Sequence, residues 1–344
     1  MAKFNTQGGL IWARQFGTTS WDSLSSSSVS SINNDNGILV RSNKDFYISE
    51  FGEVTPLSDL ISGYVLNVSD LQKDSEGNIF LLATKGYYYD DGDLDRDGST
   101  SDFIVAKYDS EWNQQWFTED FTDIEPGHSD FDFNVRFLKV TKSGIPYILG
   151  NAYQSNIDRI FSSISGLGGD DLMLASFNTI DGSTRSLQNF GSDQNDSSSY
   201  VHFQPIEEDQ LIGFYRVSAG AVVDGETVSS SGSVRVLVDS EGVLSQELYK
   251  FEGEDRFVES LVKGSNGYFF MIDVHPLSSN VKNYSILDKE FNQESSITEA
   301  GYSSSGMASY FRHTPAYLED GAYLVTNTDH VTKLTSTIKT RSSN

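Results

Sequence analysis

The chain has no cysteine, so disulfides and thiolate-bound metal sites are excluded. Proline is scarce, at 6 of 344 residues, and no apolar run reaches the roughly 18 residues that a membrane-spanning helix needs, which argues against membrane insertion. Positive charge is also in short supply, because 24 Lys and Arg face 49 Asp and Glu, for a formal net charge of −25. A field of that sign repels phosphate backbones and argues against nucleic acid as a partner.

What the sequence does contain is a recurring pattern of a short polar turn, usually ending in Gly, followed by a burst of apolar residues. Glycine accepts the positive φ of a tight turn, and each apolar run is too short for a helix, so the pattern predicts a hairpin and a strand buried on both faces. The chain is also rich in Tyr and Phe, which favour strands. Six copies occur, with apolar runs beginning at Ile38, Ile79, Ile145, Leu211, Tyr268 and Ala322.

A first strand precedes each turn, and a third and in most copies a fourth strand follow it, which is the pattern of a propeller blade. The sequence therefore predicts an all-β chain: one β-propeller domain over residues 1–344, with six four-stranded blades at roughly 22–60, 61–121, 127–191, 198–252, 255–300 and 306–335. The last blade lacks a good fourth strand, and the segment 9–17 would supply it and close the ring. Seven blades remain an alternative, because a weak one could lie within 150–170 or 215–232.

Two segments share a motif that resembles a known repeat. The residues Ala2-Lys3-Phe4 align with Ala106-Lys107-Tyr108, and Trp12 and Trp116 follow ten residues later in each copy. Together with the strand 102–109 and the closing Phe-Gly pairs at 16–17 and 190–191, this resembles the bacterial SBBP-type β-propeller repeat. The resemblance implies a propeller fold and a module of bacterial surface or secreted proteins. It implies no chemistry, because the motif specifies structure alone.

The sharpest local motif is an acidic loop between two predicted strands. Its residues Asp93, Asp95 and Asp97 alternate before Gly98, and Ser99, Ser101 and Asp102 follow. Oxygen ligands at alternate positions with a glycine at the sharp turn can wrap one hard cation, so the loop is predicted to bind calcium (Ca²⁺). An EF-hand's closing Glu is absent, because Ile104 holds that place. The alternative is a solvated acidic loop without a ligand.

Three tyrosines, Tyr87, Tyr88 and Tyr89, stand directly before the acidic loop. Exposed aromatic rings beside a cation could stack on sugars or anchor a protein partner. The alternative is partial burial of the rings under the long segment 85–101. The five histidines show no metal-ligand spacing, and the segment Gly166–Asp171 lacks the Lys and the helix of a phosphate loop, which predicts a plain turn.

Two functions from different classes fit these features. The first is a non-enzymatic interaction or structural module, displayed on a bacterial surface or as a virion component such as a phage tail, fibre or capsid appendage. It would bind a protein partner of the assembly or a surface glycan through its loops. Since Met1 precedes no signal-peptide core, the expected alternatives are a cytoplasmic location, export without a classical signal, release by lysis as part of a particle, or excision from a larger protein. The alternative is a propeller-fold glycoside hydrolase or lyase with carboxylates at the central channel.

Overall fold

The computed structural model consists of antiparallel β-sheets, and every element whose bounds it describes is a β-strand, which confirms the all-β prediction. Two compact units are distinguished: Met1–Gly166 with Met173–Asn189, and Leu167–Leu172 with Phe190–Asn344. The described residues are 2–4, 9–13, 28–31, 37–41, 45–57, 60–61, 65–88, 94–95, 103–119, 134–153, 157, 166–196, 201–206, 209–249, 256–263, 269–275, 278–288, 291, 293–300, 316–318, 321–325 and 331–334.

The chain begins with a two-stranded N-terminal hairpin and continues through three sheets. In each sheet the strands pair with their neighbours in chain order, except that the short β9 pairs with β8 off the main path. The hairpin comprises β1 (Ala2–Phe4) and β2 (Leu10–Ala13). Sheet I comprises β3 (Ser28–Ser31), β4 (Ile38–Arg41), β5 (Phe46–Ile48) and β6 (Val54–Pro56). Sheet II comprises β7 (Val65–Lys73), β8 (Ile79–Tyr88), the short β9 (Leu94–Asp95), β10 (Phe103–Tyr108) and β11 (Gln114–Glu119). Sheet III comprises β12 (Asn134–Val140), β13 (Pro146–Tyr153), β14 (Asp170–Phe177) and β15 (Thr184–Phe190).

Three further sheets follow, and the first of them carries a small additional hairpin. Sheet IV comprises β16 (His202–Pro205), β17 (Leu211–Val217), β20 (Gly232–Asp239) and β21 (Gly242–Tyr249), with the hairpin β18 (Val222–Val223) and β19 (Glu226–Thr227) between its second and third strands. Sheet V comprises β22 (Phe257–Lys263), β23 (Phe269–His275), β24 (Ser278–Leu287) and β25 (Gln293–Ala300). Sheet VI comprises β26 (Ala316–Leu318), β27 (Gly321–Val325) and β28 (Val331–Leu334).

The burial of apolar residues and the hydrogen bonds of the turns explain why these segments form strands. The second strand of sheet II begins with five fully buried residues, Ile79 to Ala83, as expected for a strand covered on both faces. The turn before it is closed by the carboxylate of Asp74, which accepts the backbone N–H groups of Glu76 and Asn78 at 2.9 Å each. Gly77 follows at φ +86°, a conformation that side chains disfavour.

The first strands of neighbouring sheets adjoin within each unit. In the first unit β7 contacts β12, and the Oδ2 atom of Asp70 accepts the backbone N–H of Leu138 at 3.1 Å. In the second unit β16 contacts β22, and Gln204 donates from Nε2 to the carbonyl oxygen of Leu261 at 2.8 Å. Sheets that meet along their first strands with faces packed together are the arrangement found in propeller blades.

The N-terminal hairpin contacts sheet I through a tryptophan that covers a glycine. Trp12 donates from Nε1 to the carbonyl oxygen of Glu50 at 3.0 Å, and Lys3, its cross-strand partner, reaches the same oxygen at 3.3 Å. The indole lies so close to Gly52 that a Cβ atom there would stand 2.7 Å from Trp12 Cγ. Only glycine fits beneath this ring, because any side chain would displace it.

The same contact recurs between sheets II and III. Trp116 and its cross-strand partner Lys107 both donate to the carbonyl oxygen of Thr179, each at 3.1 Å. A Cβ atom on Gly182 would stand 2.5 Å from the indole of Trp116. The hairpin β1–β2 therefore has the same relation to sheet I as β10–β11 has to sheet III, so it is equivalent to the third and fourth strands of a sheet.

At other pairs of neighbouring sheets the large and small residues are reversed: the fourth strand carries a small residue and the turn of the next sheet an aromatic one. Thr55 and Ser245 hold the fourth-strand positions of sheets I and IV that correspond to Trp116. The turn of the next sheet then carries an aromatic residue at positive φ: Trp112 at 67°, or Phe291 at 66°. Trp112 packs on Tyr47 of sheet I at 5.4 Å between ring centroids. We call the two arrangements the Trp-on-Gly contact and the turn-aromatic contact.

Candidate functional site

The acidic loop lies in sheet II between β8 and β10. Strand β10 pairs with residues 79–84 of β8, and β8 then runs on to Tyr88. There it pairs with β9, in the register Tyr87 with Asp95 and Tyr88 with Leu94. The backbone thus brings the predicted calcium ligand Asp95 directly opposite the predicted contact residue Tyr87, at the spacing of cross-strand neighbours.

The remaining members of both predictions lie outside the described residues. These are the predicted ligands Asp93, Asp97, Ser99, Ser101 and Asp102, and the third tyrosine, Tyr89. Within the part of the chain that the structure describes, no group of three or more His, Asp or Glu side chains is arranged to hold a metal ion. The calcium site therefore stays a prediction, as does ligand contact by the tyrosines.

A second cluster of carboxylates lies at the loop before β14, where the sequence predicts a plain turn. Asp171 is completely buried, and its carboxylate accepts the backbone N–H of Leu167 at 2.7 Å and that of Gly168 at 3.1 Å. These bonds replace water for the carboxylate, which would otherwise be costly to bury. Asp171 thus fixes the conformation of residues 167–171.

This loop lies against the segment that follows β15. A Cβ atom on Gly168 would stand 2.5 Å from the backbone of Asp193, and one on Gly169 would overlap the side chain of Asn195. The backbone N–H of Asp196 donates to the carbonyl oxygen of Asp170 at 2.7 Å. The two segments therefore approach so closely that glycine is needed at both positions.

Asp193 ties a third segment to the other two. Its carboxylate accepts the backbone N–H of Val222 at 2.7 Å, and its own backbone N–H donates to the carbonyl oxygen of Val222 at 3.1 Å. Val222 begins β18, so the small hairpin of sheet IV is held at its base. We refer to Asp171, Asp193 and Asp196, with the three segments 166–172, 191–196 and 221–228 that they join, as the aspartate clasp.

Asp196 has the most unusual electrostatic environment of the three. Only 1% of its surface is exposed, and it accepts bonds from the N–H of Ser192 at 2.5 Å and from the Ser192 hydroxyl at 3.1 Å. Burial raises the pKa of Asp196 to about 7, against the lowering effect of the Ser192 bonds, and the charges of Asp171 and Asp193 raise it further. The carboxyl therefore changes charge near neutral pH.

Sequence reasoning did not find the clasp, although a pattern for it exists. Two connections, before β14 and after β15, are dense in Gly and Asp: Gly168-Gly169-Asp170-Asp171, then Gly191-Ser192-Asp193 with Asp196 close behind. Such segments are normally solvated turns, and only the close approach of the two backbones buries the carboxylates.

Comparison with known proteins gives distant structural likenesses and no family. No family model matches the chain. No curated protein sequence matches it either. Among solved structures, virginiamycin B lyase from Staphylococcus aureus is 8% identical with a TM-score of 0.39, covering 90% of this chain and 84% of its own. BamB from Moraxella catarrhalis is 11% identical with a TM-score of 0.33, covering 92% and 85%.

A DUF4221 protein from Bacteroides vulgatus is 9% identical with a TM-score of 0.37, covering 87% of this chain and 86% of its own. At these identities and TM-scores the likenesses establish neither fold nor activity for this chain. None of the described residues forms a helix long and apolar enough to cross a membrane.

Proposed function

We propose that this chain is a six-bladed β-propeller that acts as a non-enzymatic interaction module. The observation that carries the fold is the repeated set of four-stranded sheets whose first strands adjoin, as β7 does with β12 and β16 with β22. The two Trp-on-Gly contacts support it, because they join consecutive sheets in the same way twice. A rigid ring of this kind is a common scaffold for binding loops.

The N-terminal hairpin supports ring closure by the N-terminal strand. The hairpin is equivalent to a third and a fourth strand, and sheet VI has three described strands, β26, β27 and β28. Strand β2 is then the fourth strand that completes the last blade, which protects its edge. Both β1 and β28 qualify as its third strand, so one of them is surplus in the closed ring.

The binding face is the excursion between β8 and β10. Its support is the register that sets Asp95 opposite Tyr87, which unites a predicted cation loop with aromatic residues on one hairpin. We propose that this hairpin, ordered by calcium, binds a protein or a surface glycan, and that the chain is displayed on a bacterial surface or a virion. Aromatic rings beside a bound cation suit the apolar faces and hydroxyl groups of sugars.

Thermal unfolding with and without calcium tests the loop. Calcium well above its dissociation constant should raise the Tm by about 3 °C or more, because the cation binds the folded loop alone. The variant Asp95→Ala should lose most of this rise. Glu226→Ala, which removes an exposed carboxylate from the β18–β19 hairpin, should keep it and serves as the control. An equal rise in wild type and Asp95→Ala would exclude this site.

Binding of the purified full chain to arrayed bacterial polysaccharides and to intact cells tests the function. Replacement of both Tyr87 and Tyr88 by Ala should abolish binding, and Phe51→Ala, at an exposed aromatic of another turn, should leave it unchanged. Loss of binding in both variants would argue against the tyrosine hairpin. Turnover of a polysaccharide that a single carboxylate substitution abolishes would overturn the non-enzymatic assignment.

A further inference from the structure

We propose that the aspartate clasp is a pH-sensitive latch, in which a proton on Asp196 keeps segments 166–172, 191–196 and 221–228 together and its release loosens them. This inference concerns other loops than the β8–β9 hairpin and does not depend on the binding function proposed above. It rests on the hydrogen bonds that join the three connections and on the negative charge of the groups around Asp196.

The clasp is held mainly by carboxylates that accept backbone N–H groups. Asp171 closes the first segment on itself, Asp196 closes the second through Ser192, and Asp193 links the second to the third through Val222. The first and second segments also share main-chain bonds, from Gly169 to Gln194 at 3.4 Å and from Asp196 to Asp170 at 2.7 Å. Movement of the second segment would therefore strain both of its neighbours.

Among the residues that the structure describes, the charges that act on Asp196 belong to acidic groups. Asp171 faces it from the start of β14 and Asp193 from its own segment, and both charges disfavour ionisation of Asp196. Tyr215 faces it from β17 and donates its hydroxyl to Gln246 at 2.9 Å. Burial, then the charges of Asp196 and Asp224, raise the pKa of Tyr215, so this phenol stays neutral and supplies no compensating charge.

Protonation is compatible with the contacts that Asp196 makes. A neutral carboxyl keeps one oxygen to accept the N–H of Ser192 and can turn its own O–H toward the Ser192 hydroxyl. An ionised carboxyl keeps the same two bonds but adds a buried negative charge beside Asp171 and Asp193. The closed clasp thus favours the protonated form, and an open clasp, in which water reaches the carboxylate, favours the ionised form.

The direction of the pH effect follows from this difference. The pKa of Asp196 is about 7 in the closed clasp, against its ordinary 3.8 when the group is solvated. The closed state binds the proton more tightly, so its stability is fully present at acid pH and falls as the pH rises towards 7. Above pH 7 both states are ionised and the effect levels off. The loops that would be released include the base of the exposed β18–β19 hairpin.

Hydrogen exchange of the full chain between pH 5 and pH 8, corrected for the intrinsic exchange rate, tests the latch. For amides of Leu167, Gly168, Ser192 and Val222, protection should fall by up to about tenfold per pH unit between pH 5 and pH 7 and then level off. Asp196→Asn should remove this dependence, because the amide keeps the bonds to Ser192 without a charge. Asp239→Asn should behave as wild type, since Asp239 accepts two N–H groups in an ordinary turn of sheet IV.

Equal pH dependence in wild type and Asp196→Asn, or protection that is constant across the range in wild type, would overturn the proposal. If Asp196→Asn does not fold, the carboxyl carbon resonance of Asp196 in the wild-type chain decides the matter. A titration midpoint near 7 supports the latch. A midpoint in the ordinary range of an aspartate refutes it.

Discussion

Replacement of Gly52 by Ala tests the Trp-on-Gly contact at the N-terminal hairpin. Gly52 has φ +83°, so any side chain is strained there, and the new Cβ would stand 2.7 Å from Trp12 Cγ. The backbone strain alone costs about 1–2 kcal/mol. The indole must also move, which weakens its bond to Glu50 (about 1 kcal/mol) and exposes part of a ring that is now buried. We expect a total loss of about 3–4 kcal/mol in the free energy of unfolding.

Gly77→Ala is the matched control for backbone strain. Gly77 lies in the same unit at φ +86°, but a Cβ there meets nothing closer than Ser110 Cβ at 3.8 Å, an ordinary contact. It should therefore cost only the backbone strain of about 1–2 kcal/mol, and the difference between the two variants isolates the collision with Trp12. Urea unfolding, followed by intrinsic fluorescence and by circular dichroism, measures both.

A double-mutant cycle with Trp12→Ala completes the test. If the indole is the cause, Gly52→Ala should cost no more than Gly77→Ala once Trp12 is gone. Equal losses for Gly52→Ala and Gly77→Ala in the wild-type background would refute the reasoning. So would an excess loss at Gly52 that persists without Trp12.

Two further predictions concern other packing contacts. Trp112→Gly should destabilise the chain by about 1 kcal/mol less than Trp112→Ala, because both variants lose the packing on Tyr47 but only glycine relieves the positive φ. A higher urea midpoint for Trp112→Ala than for Trp112→Gly would contradict this. Arg256→Ala should lower the free energy of unfolding by about 3 kcal/mol, because it removes the 2.9 Å ion-pair partner of the buried Asp273. Adding Asp273→Asn should recover part of this loss, and an additive loss in the double variant would argue against the pair.

The strands could be predicted because their pattern is local. Each apolar run after a polar turn, such as Ile79 to Leu82 after Asp74–Gly77, forms the second strand of a sheet, and the turn residues explain its start. The alignment of Ala2–Phe4 with Ala106–Tyr108 also predicted two equivalent segments, and both form hairpins in which Lys3 pairs with Trp12 and Lys107 with Trp116.

Contacts between distant segments could not be predicted in this way. The sequence around Asp196 is that of a solvated turn, and the carboxylate is buried only because Gly168 and Gly169 admit a second backbone 25 residues away, the separation of Asp170 from Asn195. Similarly, Trp112 occupies a position where other turns have Gly, and its reason lies in Tyr47 of the preceding sheet. Packing of this kind overrides local preference.

In a chain of similar sheets, a sheet can pack against the wrong neighbour during folding. The Trp-on-Gly and turn-aromatic contacts disfavour some of these wrong pairings. A fourth strand with Trp116 fits a turn with Gly182, and one with Thr55 fits a turn with Trp112. Exchange of the partners would set two indoles against each other at one junction and leave a void at the other. The two contact types therefore distinguish one kind of junction from the other, and moving a sheet to a junction of the other kind should require its neighbour's turn to move with it.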